Sequence, residues 1–232
     1  MRDSNSPSLF VRIAEWFLIL LILTTWSHAA YGQSFSATAG MGLEYFNSPS
    51  ISRYLAYQIG GVIPGTYTTA VQFVVGADYQ ILHDWEVGLE YGYITRSVSG
   101  SNNININYSY SLPSLIVRRT TEGDGYYFRY GVGIGYHFGT FGTTSAYSTN
   151  VTNYYADGLG FKIDAAFDTK LDKNFYARIA VDGRGEFVGT LKSGNGDALT
   201  YSTYDGNNYQ SHPVNMNFSG VGITFGLVYY IW

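Results

Sequence analysis

The chain has no cysteine. A disulfide framework, a thiolate metal site and a lipid-modified N-terminal cysteine are therefore all excluded, and the absence suits export through an oxidising compartment. Proline is scarce, at 5 residues against 28 glycines, which argues against a disordered Pro-rich chain. Charge is scarce as well: Asp, Glu, Lys and Arg make up 13% of the 232 residues, about half the share in an ordinary soluble domain. The surface must then be wetted by Tyr, Thr, Ser and Asn, or must not face water. The net charge is −4 with no basic block, so an electrostatic footprint for nucleic acid is missing. Long apolar runs are absent with one exception, Trp16 to Trp26.

That exception reads as an address. Arg12 precedes it, and small residues follow in Ser27-His28-Ala29-Ala30-Tyr31-Gly32, the order of charged region, apolar region and cleavage site in a secretory signal. The run falls short of the ~20 apolar residues a spanning helix needs. Cleavage is expected after Gly32 or after Ala29, leaving residues 1–32 as signal peptide and 33–232 as the mature domain.

What is abundant is aromatic side chains, 18% of the chain with 23 tyrosines, set in segments of period two. Successive side chains of a strand point to opposite faces. A first strand places Phe35, Ala37, Ala39, Met41, Leu43 and Tyr45 opposite Ser36, Thr38, Gly40, Gly42 and Glu44. A second sets Val71, Phe73, Val75, Ala77, Tyr79 and Ile81 against Gln72, Gly76, Asp78 and Gln80; a third sets Trp85, Val87, Leu89, Tyr91 and Tyr93 against Glu86, Gly88, Glu90 and Gly92. The fourth, around Ile104 to Arg119, is the least regular, and Pro113 marks a bulge or a shift of phase there. The fifth alternates Phe128 to Phe138 with Arg129, Gly131, Gly133, Gly135 and His137; the sixth runs from Leu159 to Asp168, the seventh from Phe175 to Glu186, and the last from about Asn217 to Trp232.

The ionised residues share their face with the glycines. A narrow barrel interior needs small residues beside long charged ones, whereas a water-facing surface has no need of glycine. The apolar face carries Tyr, Trp and Phe at strand ends, as aromatic girdles at two membrane interfaces would. An open sheet edge is not tolerated in hydrocarbon, so the expectation is an all-β fold, an eight-stranded antiparallel up-and-down transmembrane β-barrel with strands of about ten residues. Connections alternate in length: His83-Asp84, Glu122 to Gly125 and Asp172 to Asn174 are short, while those after the first, third, fifth and seventh strands read as long loops. Short turns belong in the periplasm, which would put both termini there. In the first loop, Ile51, Tyr54, Leu55 and Gln58 have helical spacing, predicting a short helix over Ser50 to Ile59.

The C-terminus carries the most specific motif. Thr224, Gly226, Tyr229 and Ile231, followed by the terminal aromatic Trp232, resemble the barrel-assembly signal of small bacterial outer-membrane barrels of the OmpX and OmpA-barrel type. The resemblance covers the whole mature chain. It implies periplasmic chaperones and the barrel-assembly machinery as transient partners, outer-membrane lipid and lipopolysaccharide as surroundings, a monomer, and no cofactor.

The expected interior charges are Glu44, Asp78, Glu86, Glu90, Arg129, His137, Lys162, Asp164, Asp168, Arg178, Asp182, Arg184 and Glu186, read as a plug of mutually satisfied ion pairs. The function expected is a structural or surface-interaction role through the outer loops, with no catalytic turnover; a small passive channel and a lipid A-modifying enzyme are the alternatives. Lipid A deacylase barrels carry a serine two residues after a histidine, but Phe138 and Gly139 follow His137, which reads as a satisfied interior histidine. Tyr147, Tyr154, Tyr155, Tyr201, Tyr204 and Tyr209, among Ser, Thr, Asn and Gly, give the loops a composition suited to an extracellular protein or glycan ligand.

Overall fold

A computed structural model describes residues 35–59, 67–99, 105–144, 151–206 and 208–231. The signal segment, Ile104, Tyr147 and Trp232 lie outside the described residues. Eight long antiparallel strands form a closed ring: β1 (Phe35–Asn47), β2 (Tyr67–Leu82), β3 (Trp85–Ser99), β4 (Asn105–Gly123), β5 (Tyr126–Thr144), β6 (Val151–Lys170), β7 (Phe175–Phe187) and β8 (Phe218–Ile231). Each pairs with its neighbour in sequence, and β1 closes the ring on β8 from Phe35–Ile231 to Asn47–Ser219. Strands pair on both sides along the part of the wall between the turns and Leu159–Phe187, which is what a hydrocarbon surround demands of backbone N–H and C=O groups. Among the described residues no helix is long and apolar enough to cross a membrane.

Three turns join strands at one end. His83 and Asp84 link β2 to β3, and Asp124 and Gly125 link β4 to β5, with Gly125 at φ 78° supplying the left-handed residue such a turn needs. Asn174 organises the third, its side-chain amide donating to the Tyr230 carbonyl at 2.8 Å.

The opposite end differs from expectation in three respects. Strands β4, β5 and β6 are 19, 19 and 20 residues long rather than about ten, so only residues 100–104 and 145–150 remain as connections. Tyr154 and Tyr155, expected in a loop, lie on β6. Pro113 marks no bulge: the β3–β4 register runs unbroken through Tyr91–Pro113, and β4 alternates between buried and exposed residues on both sides of it.

The first loop holds a helix, α1 (Pro49–Ile59). Pro49 at its first position has its φ pre-set and no N–H to orphan. Ile51, Tyr54 and Leu55 form its buried stripe, so the helix is a cap packed onto the barrel mouth rather than a loose surface element. Hydrogen bonds fasten it to the last loop: the Ser48 hydroxyl donates to the Asn217 carbonyl at 3.0 Å, the Asn215 N–H donates to the Ser50 hydroxyl at 2.9 Å, and that hydroxyl donates to the Pro213 carbonyl at 3.5 Å. Within that last loop, Thr200–Tyr204 and Tyr209–Pro213 pair as a two-stranded ribbon.

Candidate functional site

The wall has two faces of opposite character. Outward lie Met41, Leu43, Phe73, Val75, Leu89, Val132, Ile134, Ile163, Val181, Phe225 and Leu227, all exposed in the isolated chain. Aromatic pairs bound this belt: Tyr126–Phe167 and Phe175–Tyr229 towards the turns, Tyr136–Phe138 and Phe161–Phe187 towards the loops. So large a contiguous apolar surface cannot be held in water; between girdles, it marks a hydrocarbon-facing belt.

All thirteen charged residues named from the sequence project inward, and they fall into three groups. Nearest the turns, Arg178 donates two hydrogen bonds to Asp168, at 2.6 and 2.8 Å. Arg129 lies 3.0 Å from Glu86 and 3.3 Å from both Asp78 and Asp168, with its guanidinium 5.1 Å from the Tyr230 ring centre. In the middle, Lys162 reaches Glu90 at 2.5 Å. Towards the loops, Arg184 donates to Asp182 at 2.6 Å and lies 3.4 Å from Glu44, while the Gln72 amide, its oxygen turned to Arg184 and its nitrogen to Glu44, bridges them. His137 hydrogen-bonds Glu186 through Nδ1 and lies 3.1 Å from the Ser114 hydroxyl through Nε2.

Sequence reasoning missed the hub. Arg118 on β4 is buried and holds three carboxylates: Asp78 at 2.5 Å, Asp164 at 2.7 Å and Glu90 at 2.9 Å. It joins the turn-side group to Lys162 and Glu90. The signal for it was glycine. A Cβ on Gly88 would overlap the Asp78 carboxylate oxygen and lie 3.2 Å from the Arg118 guanidinium, and one on Gly131 would overlap the Val117 carbonyl and lie 2.7 Å from the Arg118 Cγ, so the glycines leave room for the Arg118–Asp78 pair and the backbone beside it. It passed unnoticed because Arg119, its neighbour, points outward and the strand looked irregular.

Both ends of the charged layer are closed. Towards the turns, Tyr127, Tyr176 and Tyr230 pack ring to ring, with centroids 4.8 to 5.4 Å apart, and Tyr127 and Tyr230 line an open recess of about 470 Å³ that reaches Glu86 from the turn end. Towards the loops the interior stops being polar. Phe46, Ile94, Ile106, Tyr108, Tyr110, Leu112, Phe141, Met216 and Phe218 form a buried core, sealed from above by Ile51, Tyr54 and Leu55 of α1. The Tyr110 hydroxyl is satisfied there by the Met216 carbonyl at 3.2 Å. Between the closures lies a cavity of about 30 Å³ among Thr38, Asp78, Arg118, Lys162 and Arg178, space for one or two waters. Of the C-terminal motif, Thr224 and Gly226 face inward, and Tyr229 and Ile231 lie on the belt.

This closed eight-stranded barrel, apolar outside and ion-paired within, has the fold of the small bacterial outer-membrane β-barrels. It resembles the solved structures of Ail, the attachment invasion locus protein of Yersinia pestis, in complex with the heparin analogue sucrose octasulfate (12% identity over 86% of this chain and 99% of that one, TM-score 0.51), Neisserial surface protein A (10%, 85% and 98%, 0.51), and a major outer membrane protein of Thermus thermophilus (13%, 87% and 100%, 0.53). No protein-family model matches the sequence, and no curated protein matches it. At these identities the likeness is one of fold.

Proposed function

We propose that the protein is a non-conducting barrel of the outer membrane that acts through its loop end and performs no turnover. The observation carrying this reading is the double closure of the interior, which leaves the loop end as the polar surface on which specificity can reside. In the same reading residues 1–32 are the cleaved signal, the turns and both termini are periplasmic, and the C-terminal motif engages the assembly machinery. The molecule stands as a monomer among outer-membrane lipid and lipopolysaccharide.

Ser114, His137 and Glu186 are linked in the order of an activated serine, yet they support packing rather than catalysis. Ser114 is 8% exposed, with its hydroxyl turned inward to His137. The interior cavity is lined by neither residue, and the depression that Ser114 borders lies on the outer side of the wall among Val75, Leu89, Tyr91 and Leu115, away from the imidazole. A heavily sulfated ligand of the kind seen with Ail is disfavoured by charge. Across residues 47–70, 94–112, 139–158 and 187–218, Arg53, Arg96 and Lys192 are balanced by Asp157, Asp197 and Asp205.

Two measurements test the reading. The purified barrel in a planar bilayer should be electrically silent, and stepwise conductance would return the channel alternative. Replacing Thr200–Pro213 by a short turn should leave a heat-modifiable, membrane-inserted barrel while abolishing attachment of expressing cells to matrix- and polysaccharide-coated surfaces. Unchanged attachment would remove the surface role.

A further inference from the structure

The ribbon of the last loop has one face that the fold uses and one that it does not. Directly opposed residues of an antiparallel pair share a face. Tyr201 and His212 are opposed, and Tyr201 is buried, stacked on Tyr57 at 5.5 Å and on His212 at 5.3 Å. Thr203, two residues on, hydrogen-bonds His212 at 3.0 Å. This face anchors the ribbon to α1.

The other face carries Tyr204 opposite Tyr209, Ser202 opposite Ser211, and Thr200 opposite Pro213. Its two rings are among the most exposed aromatics of the protein, at 61% and 79%, with centroids 5.1 Å apart. Tyr204 is tethered, and Tyr209 packs against it. The Tyr204 hydroxyl donates to the Gly206 carbonyl at 2.8 Å, and Asp205 accepts from the Asn208 N–H at 2.8 Å and from the Gln210 amide at 3.1 Å, fixing the turn between the rings. An aromatic pair on a fixed turn loses little freedom on binding.

We propose that this face binds an uncharged polysaccharide presented from outside the cell. The face carries no ionised side chain, so it offers nothing to a polyanion or a polycation. Its only aliphatic surface is Pro213, which is too little to form the apolar centre of a protein–protein interface. Two rings bordered by hydroxyls match an uncharged sugar: the C–H bonds of a pyranose rest on the negative faces of the rings, while Ser202 and Ser211 exchange hydrogen bonds with its hydroxyls. Tyr204 and Tyr209 are the contact rings, and Asp205 is a positioning residue.

The inference rests on the surface role proposed above, and its test separates the two. The full mature barrel in lipid nanodiscs is passed over immobilised dextran, mannan and laminarin, with heparin as the charged control. Saturable binding to at least one of the three uncharged polymers is expected. It should survive high salt, fall about tenfold or more in Tyr204→Ala and in Tyr209→Ala, as for a central contact residue, and be largely retained in Tyr209→Phe, which keeps the ring. Heat-modifiability of each variant shows that the barrel is intact. Binding to none of the three, salt-sensitive binding to heparin alone, binding indifferent to both alanine changes, or self-association that the alanine changes abolish would each overturn the assignment. If trimming the ribbon abolishes cell attachment while no polysaccharide binds, the surface role stands and the ligand assignment alone falls.

Discussion

The turn-side and loop-side halves of this barrel are built from the same strands with opposite polarity. Below a ring through Tyr45, Val71, Tyr93, Phe138, Leu159 and Phe187, outward residues are mostly apolar, and the inward face gathers the charged residues and glycines, with Val74, Ile116 and the tyrosine cluster filling in around them. Above it, most outward positions are polar, among them Thr95, Ser97, Asn107, Ser109, Ser111 and Asn153, with Val151 and Tyr155 as exceptions, while Ile94, Ile106, Tyr108, Tyr110 and Phe141 point in. The backbone does not change at the ring; the register of β3 with β4 runs straight through it. What changes is the medium. Where hydrocarbon surrounds the wall, polar groups gather inside and must satisfy one another. Where water surrounds it, the ordinary hydrophobic effect fills the interior. The protein is thus a membrane barrel continuous with a water-exposed one.

The halves should fail differently. Arg118→Met is expected to have the largest effect, because it strands Asp78, Glu90 and Asp164 in the interior. Breaking a buried ion pair costs about 3–5 kcal/mol, and three carboxylates lose a partner here. Urea titration in detergent micelles should show global loss of the heat-modifiable barrel. A midpoint within error of wild type would mean that the charged layer holds the membrane half far less tightly than its geometry indicates.

Phe46→Ala probes the upper half. Phe46 is 1% exposed and packs edge-on to Tyr108 and Tyr110, and truncating a buried phenylalanine costs about 3–4 kcal/mol. The loss should stay local. Protease should cut at α1, while heat-modifiability persists. If global unfolding accompanies the cleavage, the halves are one cooperative unit and the contrast between them is only chemical.

This contrast also explains how much could be read from the sequence. In β1 and β5 the alternation lies almost wholly within the membrane half, and Phe35 to Tyr45 and Phe128 to Phe138 reveal strand, face and medium together. Strand β4 crosses the ring. Its apolar residues occupy even positions from Ile106 to Leu112, and then both faces from Leu115 to Val117, with Ile116 buried inside and its two neighbours outside. A change of apolar phase beside a proline reads as a bulge, but the strand is straight and the solvent has changed. The same misreading hid Arg118, whose inward direction is evident only once the phase is fixed. Ser114 was out of reach for another reason: it meets His137 across 23 residues, and the local spacing around His137 carries no trace of it. Helix α1 was legible because Ile51, Tyr54 and Leu55 bury one stripe, as a helix in water must.

The smallest expected effect sharpens the boundary itself. Val132 is 61% exposed on the belt, between the aromatic positions Phe128 and Tyr130 on one side and Tyr136 and Phe138 on the other. Asn107 points outward on β4 above the ring. An arginine facing lipid near the bilayer centre costs about 2–4 kcal/mol and one near the interface about 0–1 kcal/mol. Val132→Arg should therefore lower the stability of the barrel in lipid vesicles by the former amount, and Asn107→Arg should leave it within about 0.5 kcal/mol of wild type, as at an ordinary wet surface. Moving both variants into detergent micelles should shrink the Val132→Arg penalty, since a micelle admits water more readily than a bilayer. Equal penalties at the two positions would place lipid against the upper wall as well, and the inverted polarity of β4 would then need a cause other than water.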